Sequence, residues 1–219
     1  MTDTPSSSTC VYLDTSVLKL SIQAIEGSTP ANAVVNWGGR ELTVTVHKPT
    51  VAYPIEGIDN AELKSEARLL PKIADLAHRG FIELVVQNET LVELWGLPRT
   101  AGKPFFGAPL KGIPAPFKYA RVSFAAFEDA EKLQYDFLAG IKDARFIELQ
   151  KACGAYQGAI PPPRNQLLDA FHVWCAEASG SRYFLTCDMS LARYVGKQKQ
   201  HVPAVRVVLP SHLLAEFQQ

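Results

Sequence analysis

Two methionines, four cysteines, five histidines and a formal net charge of zero leave this 219-residue chain short of the usual handles for redox, metal–thiolate or polyanion chemistry. Cys10, Cys153, Cys175 and Cys187 form no C-x-x-C pair, which argues against a zinc knuckle or a dithiol redox motif. Cys10, Cys175 and Cys187 sit in apolar runs and read as small buried hydrophobes in a reducing compartment. The 22 Lys and Arg are balanced by 22 Asp and Glu, so a general basic coat for nucleic acid is absent. No apolar run approaches the roughly 18 residues of a membrane span. The polar stretch Met1 to Ser8 lacks the apolar core of a secretory signal. The expectation is a soluble, cytoplasmic protein without a membrane partner.

What is present is core material. Hydrophobic residues make up 47% of the chain, enough to fill one domain of this length. The expected organisation is a single domain over 1–219. It has a loose tail at 1–9, a β-hairpin insertion at about 30–50 and a Pro/Gly-rich loop at about 97–121. Val11-Tyr12-Leu13 reads as a buried strand tipped by Asp14, and Val17, Leu18, Ile22 and Ile25 continue as a helical face that Gly27 ends. Ala33 to Trp37 and Arg40 to Val46 flank Gly38-Gly39 as a hairpin, with Leu42, Val44 and Val46 alternating with polar residues so that one face is wet. Ala61 to Arg79 is helical, kinked or restarted at Pro71. Phe81 to Val86 is a second strand, and Asn88 caps a helix running on to Trp95.

Pro98 to Pro116 is too rich in Pro and Gly for regular structure. Phe124 to Lys151 reads as one long helix. Pro161-Pro162-Pro163 forces an extended entry to the next helix, capped by Asn165. Arg182 to Thr186 and Val205 to Leu209 are the last two core strands, each followed by a helix. Strands alternating with helices imply an α/β fold with a mostly parallel sheet covered on both faces.

Four acids stand at strand tips or in nearby helices. Asp14 ends the first strand and Asp188 follows the third. Glu93 lies in the helix after the second strand, and Asp169 in the first turns of the helix after the prolines. Singly, an acid in such a place serves as a helix cap or a dipole partner. Gathered at one sheet edge, four carboxylates repel one another, and hard divalent cations such as Mg2+ or Mn2+ relieve that repulsion. A site of this kind suits phosphodiester hydrolysis. Ser16 and Thr186 flank the acids and can bind a water or a phosphate oxygen. Glu89 competes with Glu93 for the second position. His172 follows Asp169 by three residues on a neighbouring part of the helix face and reads as a hydrogen-bonded histidine rather than a ligand.

The chain resembles the PIN-domain nucleases, which include virulence-associated toxins of bacterial toxin–antitoxin pairs. The resembling blocks are Val11 to Ser16, Thr90 to Leu94, Leu167 to Phe171 with its helix, Phe184 to Asp188, and Val207 to Ser211. They span nearly the whole chain in the family's order, and only their ordered combination is specific. The resemblance implies a three-layer α/β/α sandwich. It further implies that Asp14, Glu93, Asp169 and Asp188 hold Mg2+ or Mn2+ and cut RNA. An antitoxin partner and a homodimer are permitted by it. An alternative is a catalytically inactive PIN module that binds RNA or a protein. A haloacid-dehalogenase-type phosphatase ranks lower, because Ser16 stands where that family has a second acid.

The hairpin and the Pro/Gly-rich loop depart from compact members of the family. From Leu94 through Phe127 there is no acid, while Arg99, Lys103, Lys111, Lys118 and Arg121 are basic. Arg99, Lys103, Phe105, Phe106, Lys118 and Arg121 are therefore candidate substrate-binding residues, since basic groups neutralise phosphates and aromatics stack bases. The competing reading is a cover whose aromatics pack on the core.

Overall fold

A computed structural model describes residues 8–52, 54–94, 100–101, 103–118, 127–155 and 162–218. In chain order the elements begin with β1 (Thr9–Leu13), α1 (Thr15–Leu20), β2 (Ala24–Trp37), β3 (Arg40–Ala52), α2 (Ala61–Ala67) and α3 (Leu70–His78). They continue with β4 (Ile82–Gln87), α4 (Glu89–Glu93), β5 (Thr100–Ala101), β6 (Leu110–Ile113), α5 (Phe127–Gly140) and α6 (Ala144–Ala152). The last are α7 (Arg164–Ala178), β7 (Tyr183–Leu185), α8 (Met189–Gly196), β8 (Arg206–Val208) and α9 (Pro210–Glu216).

Five strands form an all-parallel sheet in the order β6-β4-β1-β7-β8. Alternation along β1 sends its side chains to opposite faces. Tyr12 joins Phe184, Leu138 of α5, Phe146 and Leu149 of α6 and Phe171 of α7 in one core. Val11 and Leu13 join Val17 of α1, Leu70 and Ile73 of α3 and Leu213 of α9 in the other. The fold is thus a three-layer α/β/α sandwich, and each fully buried Leu or Phe contributes about 1.5–3 kcal/mol. Among the described residues no helix is long and apolar enough to cross a membrane.

The hairpin insertion is longer than its sequence pattern suggests. β2 and β3 pair from Ile25↔Ala52 to Trp37↔Arg40 around Gly38-Gly39, whose φ values of 60° and 78° are the left-handed pair a two-residue hairpin turn requires. Cross-strand partners share a face, so Trp37, Val35, Leu42, Ala33, Val44, Ala31 and Val46 line one side, while Asn36, Glu41, Thr43, Asn32 and Thr45 line the other. Neither side is dry: Trp37 is 76% exposed on the first, and Val34, which faces the other side opposite Thr43, is 67% exposed. β5 adds two residues to β2.

Several expectations are corrected. Thr9 belongs to β1 and not to a loose tail. α1 stops at Leu20, where Ser21 turns its hydroxyl back onto the Leu18 carbonyl. Ile25 and Gly27 fall in β2, because pairing with Ala52 and Thr50 outweighs the helical spacing. Leu110 to Ile113, inside the supposed irregular loop, form an edge strand beside β4, a place that tolerates Gly112 and flanking prolines. The long helix is two, broken at 141–143, because Asp143 accepts from the Arg145 and Phe146 amides and caps α6. Asn165 lies inside α7, whose cap position is Pro163. The Glu89 amide is bonded by the Gln87 side chain.

Candidate acidic site at the carboxyl edge of the sheet

The chain lays β4 and β6 on one side of β1 and β7 and β8 on the other. Its order therefore reverses between β1 and β7, and in open α/β sheets the crevice beyond the carboxyl ends at such a reversal is where ligands bind. Asp14 and Thr186 stand there. The Asp14 amide continues the ladder by donating to the Leu185 carbonyl at 3.0 Å.

Asp14 occupies the cap position of α1 yet makes no side-chain cap bond. Its Oδ2 instead accepts from Ser16 Oγ and from Thr186 Oγ1, the latter at 2.7 Å. Thr186, fully buried, also accepts from the Asp188 amide at 2.9 Å, and Ser16 Oγ accepts from the Cys187 amide at 3.0 Å. The two hydroxyls thus tie the β7–α8 turn to the acid on β1. Ser16 and Thr186, expected to serve water or phosphate, are engaged with the protein. Asp188 is a genuine cap: its Oδ1 accepts from the Ser190 and Leu191 amides at 2.7 and 3.0 Å.

Glu93 closes α4. Its Oε1 accepts from Thr15 Oγ1 at 2.8 Å and meets His172 Nε2 at 2.6 Å. His172 Nδ1 meets the Tyr12 hydroxyl at 2.7 Å. Tyr12 is fully buried and His172 is 1% exposed. Glu89 is buried too, and accepts from Gln134 Nε2 at 3.0 Å. The charges of Asp14, Asp188, His172 and Glu93 all bear on Asp169.

Burial raises Asp169, and the charges of Asp14 and Asp188 raise it further, to about 8. Burial also raises Asp14, against the Ser16 and Thr186 bonds and the His172 charge. Burial works to raise Glu93 as well, but the charge and hydrogen bond of His172 outweigh it and hold the carboxyl below its usual range. His172 is pushed down by burial and, more strongly, up by Glu93, so its net shift is upward. At this edge burial and the charges of Asp14 and Asp188 together favour the protonated form of Asp169.

Thr15, His172 and Tyr12 complete a network whose role their sequence positions do not reveal. The only local signal is the three-residue step from Asp169 to His172. Tyr12 looks like any strand aromatic, and no spacing rule links residues 160 positions apart.

One loop aromatic is corrected. Phe105 is 0% exposed and packs in the α3 core, and Phe106 packs against the same cluster. Left-handed backbone at Phe105, Phe106 and Gly107 accompanies a tight turn that carries Phe105 inward, so it cannot stack a base. Lys103 and Lys118 are exposed. Arg99 and Arg121 lie outside the described residues.

Among the described residues no group of three or more His, Cys, Asp or Glu side chains stands ready to hold a metal ion. Hydrogen bonds within the protein engage Asp14, Glu93 and Asp188. They draw Asp14 to two hydroxyls, Glu93 to Thr15 and His172, and Asp188 to the α8 amides, and like charges favour separation. Each bond goes to one oxygen, Oδ2 of Asp14, Oε1 of Glu93 and Oδ1 of Asp188. By donor type and by charge the set fits a hard divalent cation. The chain matches no family profile, no curated protein and no solved structure.

Proposed function

We propose that the chain is a metal-dependent endoribonuclease of PIN type, in which Asp14, Glu93, Asp169 and Asp188 hold Mg2+ or Mn2+ and RNA is the substrate. The observation that carries this reading is the placing of Asp14 and Asp188 at the strand reversal near Asp169, which burial first, and the charges of Asp14 and Asp188 next, lift to about 8. Buried carboxylates brought near one another are costly to a fold even where most are hydrogen-bonded, and a divalent cation would offset the cost. Bound there, the cation supplies Lewis acidity toward the scissile phosphate and acidifies a water. The chain's own residues orient the acids: Ser16 and Thr186 fix Asp14, and Thr15 and His172 fix Glu93. Exposed Lys103 and Lys118 are available to phosphate oxygens. An antitoxin protein and a second copy of the chain are partners that belong to the same reading.

The test is Asp14→Asn. The variant, folded by circular dichroism, is expected to lose cleavage of a mixed RNA pool in Mn2+, by about 100-fold or more if a ligating carboxylate is worth several kcal/mol. Cleavage equal to that of the parent sinks the assignment. A second reading, a non-catalytic module binding RNA or protein, draws on the internal engagement of Glu93 by His172 and of Asp188 by α8. It requires that the pure protein bind RNA with equal affinity in chelator and leave it uncut.

A further inference from the structure

We propose that His172 is a positioning residue for Glu93, held in turn by Tyr12. The inference rests on the metal-site reading above and names the residues that make Glu93 a fixed donor.

Glu93 ends a helix of five residues. So short a helix is marginal by itself and does not fix the direction of its last side chain. The fixing comes from other elements. Thr15 of α1 and His172 of α7 both place donors on Oε1, at 2.8 and 2.6 Å. A carboxylate only accepts, so His172 Nε2 carries the hydrogen whatever the charge of the ring. The other nitrogen faces the Tyr12 hydroxyl at 2.7 Å, which donates to a bare Nδ1 and accepts from a protonated one. The ring is thereby pinned at both nitrogens.

The chain Tyr12–His172–Glu93 links the central strand, α7 and α4, and buries its first two members almost completely. Both donors occupy the same oxygen, so Oε1 is held and the direction of the carboxylate with it. His172 stands one helical step from Asp169. A single helix thus supplies one acid and the group that orients another. Carboxylate ligands are commonly oriented by hydrogen-bonding partners in this manner, and loss of such a partner lowers metal affinity about 10- to 100-fold.

The experiment is Mn2+ binding to the full chain by calorimetry, for the parent, His172→Gln, Glu93→Gln and the double variant, with thermal melts as the check on folding. His172→Gln is expected to weaken Mn2+ binding about 10- to 100-fold. In the Glu93→Gln background the same change is expected to add less than about twofold, because a residue acting through Glu93 has nothing left to act on. Tyr12→Phe, which keeps the ring and removes only the hydroxyl, is expected to weaken binding by about threefold to tenfold and serves should His172→Gln not fold. Parent-like affinity in a folded His172→Gln or Tyr12→Phe overturns the inference, as does full additivity in the double variant, the mark of a merely structural residue. A parent that binds no Mn2+ overturns the metal-site reading itself and this inference with it.

Discussion

The hairpin and the carboxyl edge of the sheet place their side chains in opposite surroundings. In the hairpin Trp37, Val35, Leu42 and Val44 stand in water on a face built for burial. At the edge Asp14, Glu93, Asp169 and His172 are mostly withdrawn from water, although each carries or can carry charge. The hairpin is held by its ladder of cross-strand pairs, so its exposed side chains contribute little to its stability. The edge has the reverse character: its buried polar groups are costly singly, and Asp14, Glu93 and His172 are each held by hydrogen bonds. Departures from simple burial rules of this kind concentrate where something other than stability is being served.

The comparison is broken most readily at the core. Phe105→Ala should cost about 3–5 kcal/mol in urea unfolding, the toll of emptying a fully buried aromatic site. A loss under about 1 kcal/mol would return Phe105 to the list of surface aromatics.

The edge can be probed by pH. Asp169 and Asp14 are raised in the fold, so the folded state binds their protons more tightly than the unfolded chain does. Stability from these acids is greatest below about pH 4 and falls as pH rises through their folded values, which for Asp169 is about 8. His172, raised likewise, contributes below its unfolded value near 6.5 and loses that contribution as pH rises through its folded one. Glu93, lowered, keeps its contribution above its unfolded value near 4.5. Melts in EDTA should therefore show a midpoint that declines from about pH 5 to about pH 8, and Asp169→Asn should flatten the decline. A slope unchanged by that substitution removes Asp169 from the buried cluster. The smallest effect belongs to the hairpin: Trp37→Ser should move stability by no more than about 0.5 kcal/mol. A larger loss in dilute solution would mean that the exposed face is covered after all.

Much of the sandwich was legible because strand and helix periods differ and alternate along the chain. β6 was not, since Leu110-Lys111-Gly112-Ile113 between two prolines has no alternation to read, and only its neighbour β4 makes it a strand. The end of α1 was missed for a similar reason: Ile25 suits helix or strand, and β3 decides. Of the candidate acids, Asp14 and Asp188 were visible beside strand ends, whereas Glu93 closes α4 and Asp169 lies in the second turn of α7. Their mutual influence and the Tyr12–His172–Glu93 chain were not, because both depend on contacts across the sheet rather than along the sequence. Phe105 was misread because its burial follows from a left-handed turn at a non-glycine pair that no composition rule anticipates.

The bond from Thr186 to Asp14 joins residues 172 positions apart. The hairpin needs only near neighbours and closes on the microsecond scale of such elements. The acid cluster must wait for a contact of very long range, the slowest kind to form. During synthesis the ribosome releases β1, the hairpin and the first helices well before β7 exists. A nascent chain at that stage carries Asp14 without the hydroxyl of Thr186 that grips it. Assembly of the acidic edge is thus tied to completion of the sheet, and a partly made chain has no assembled site to act with.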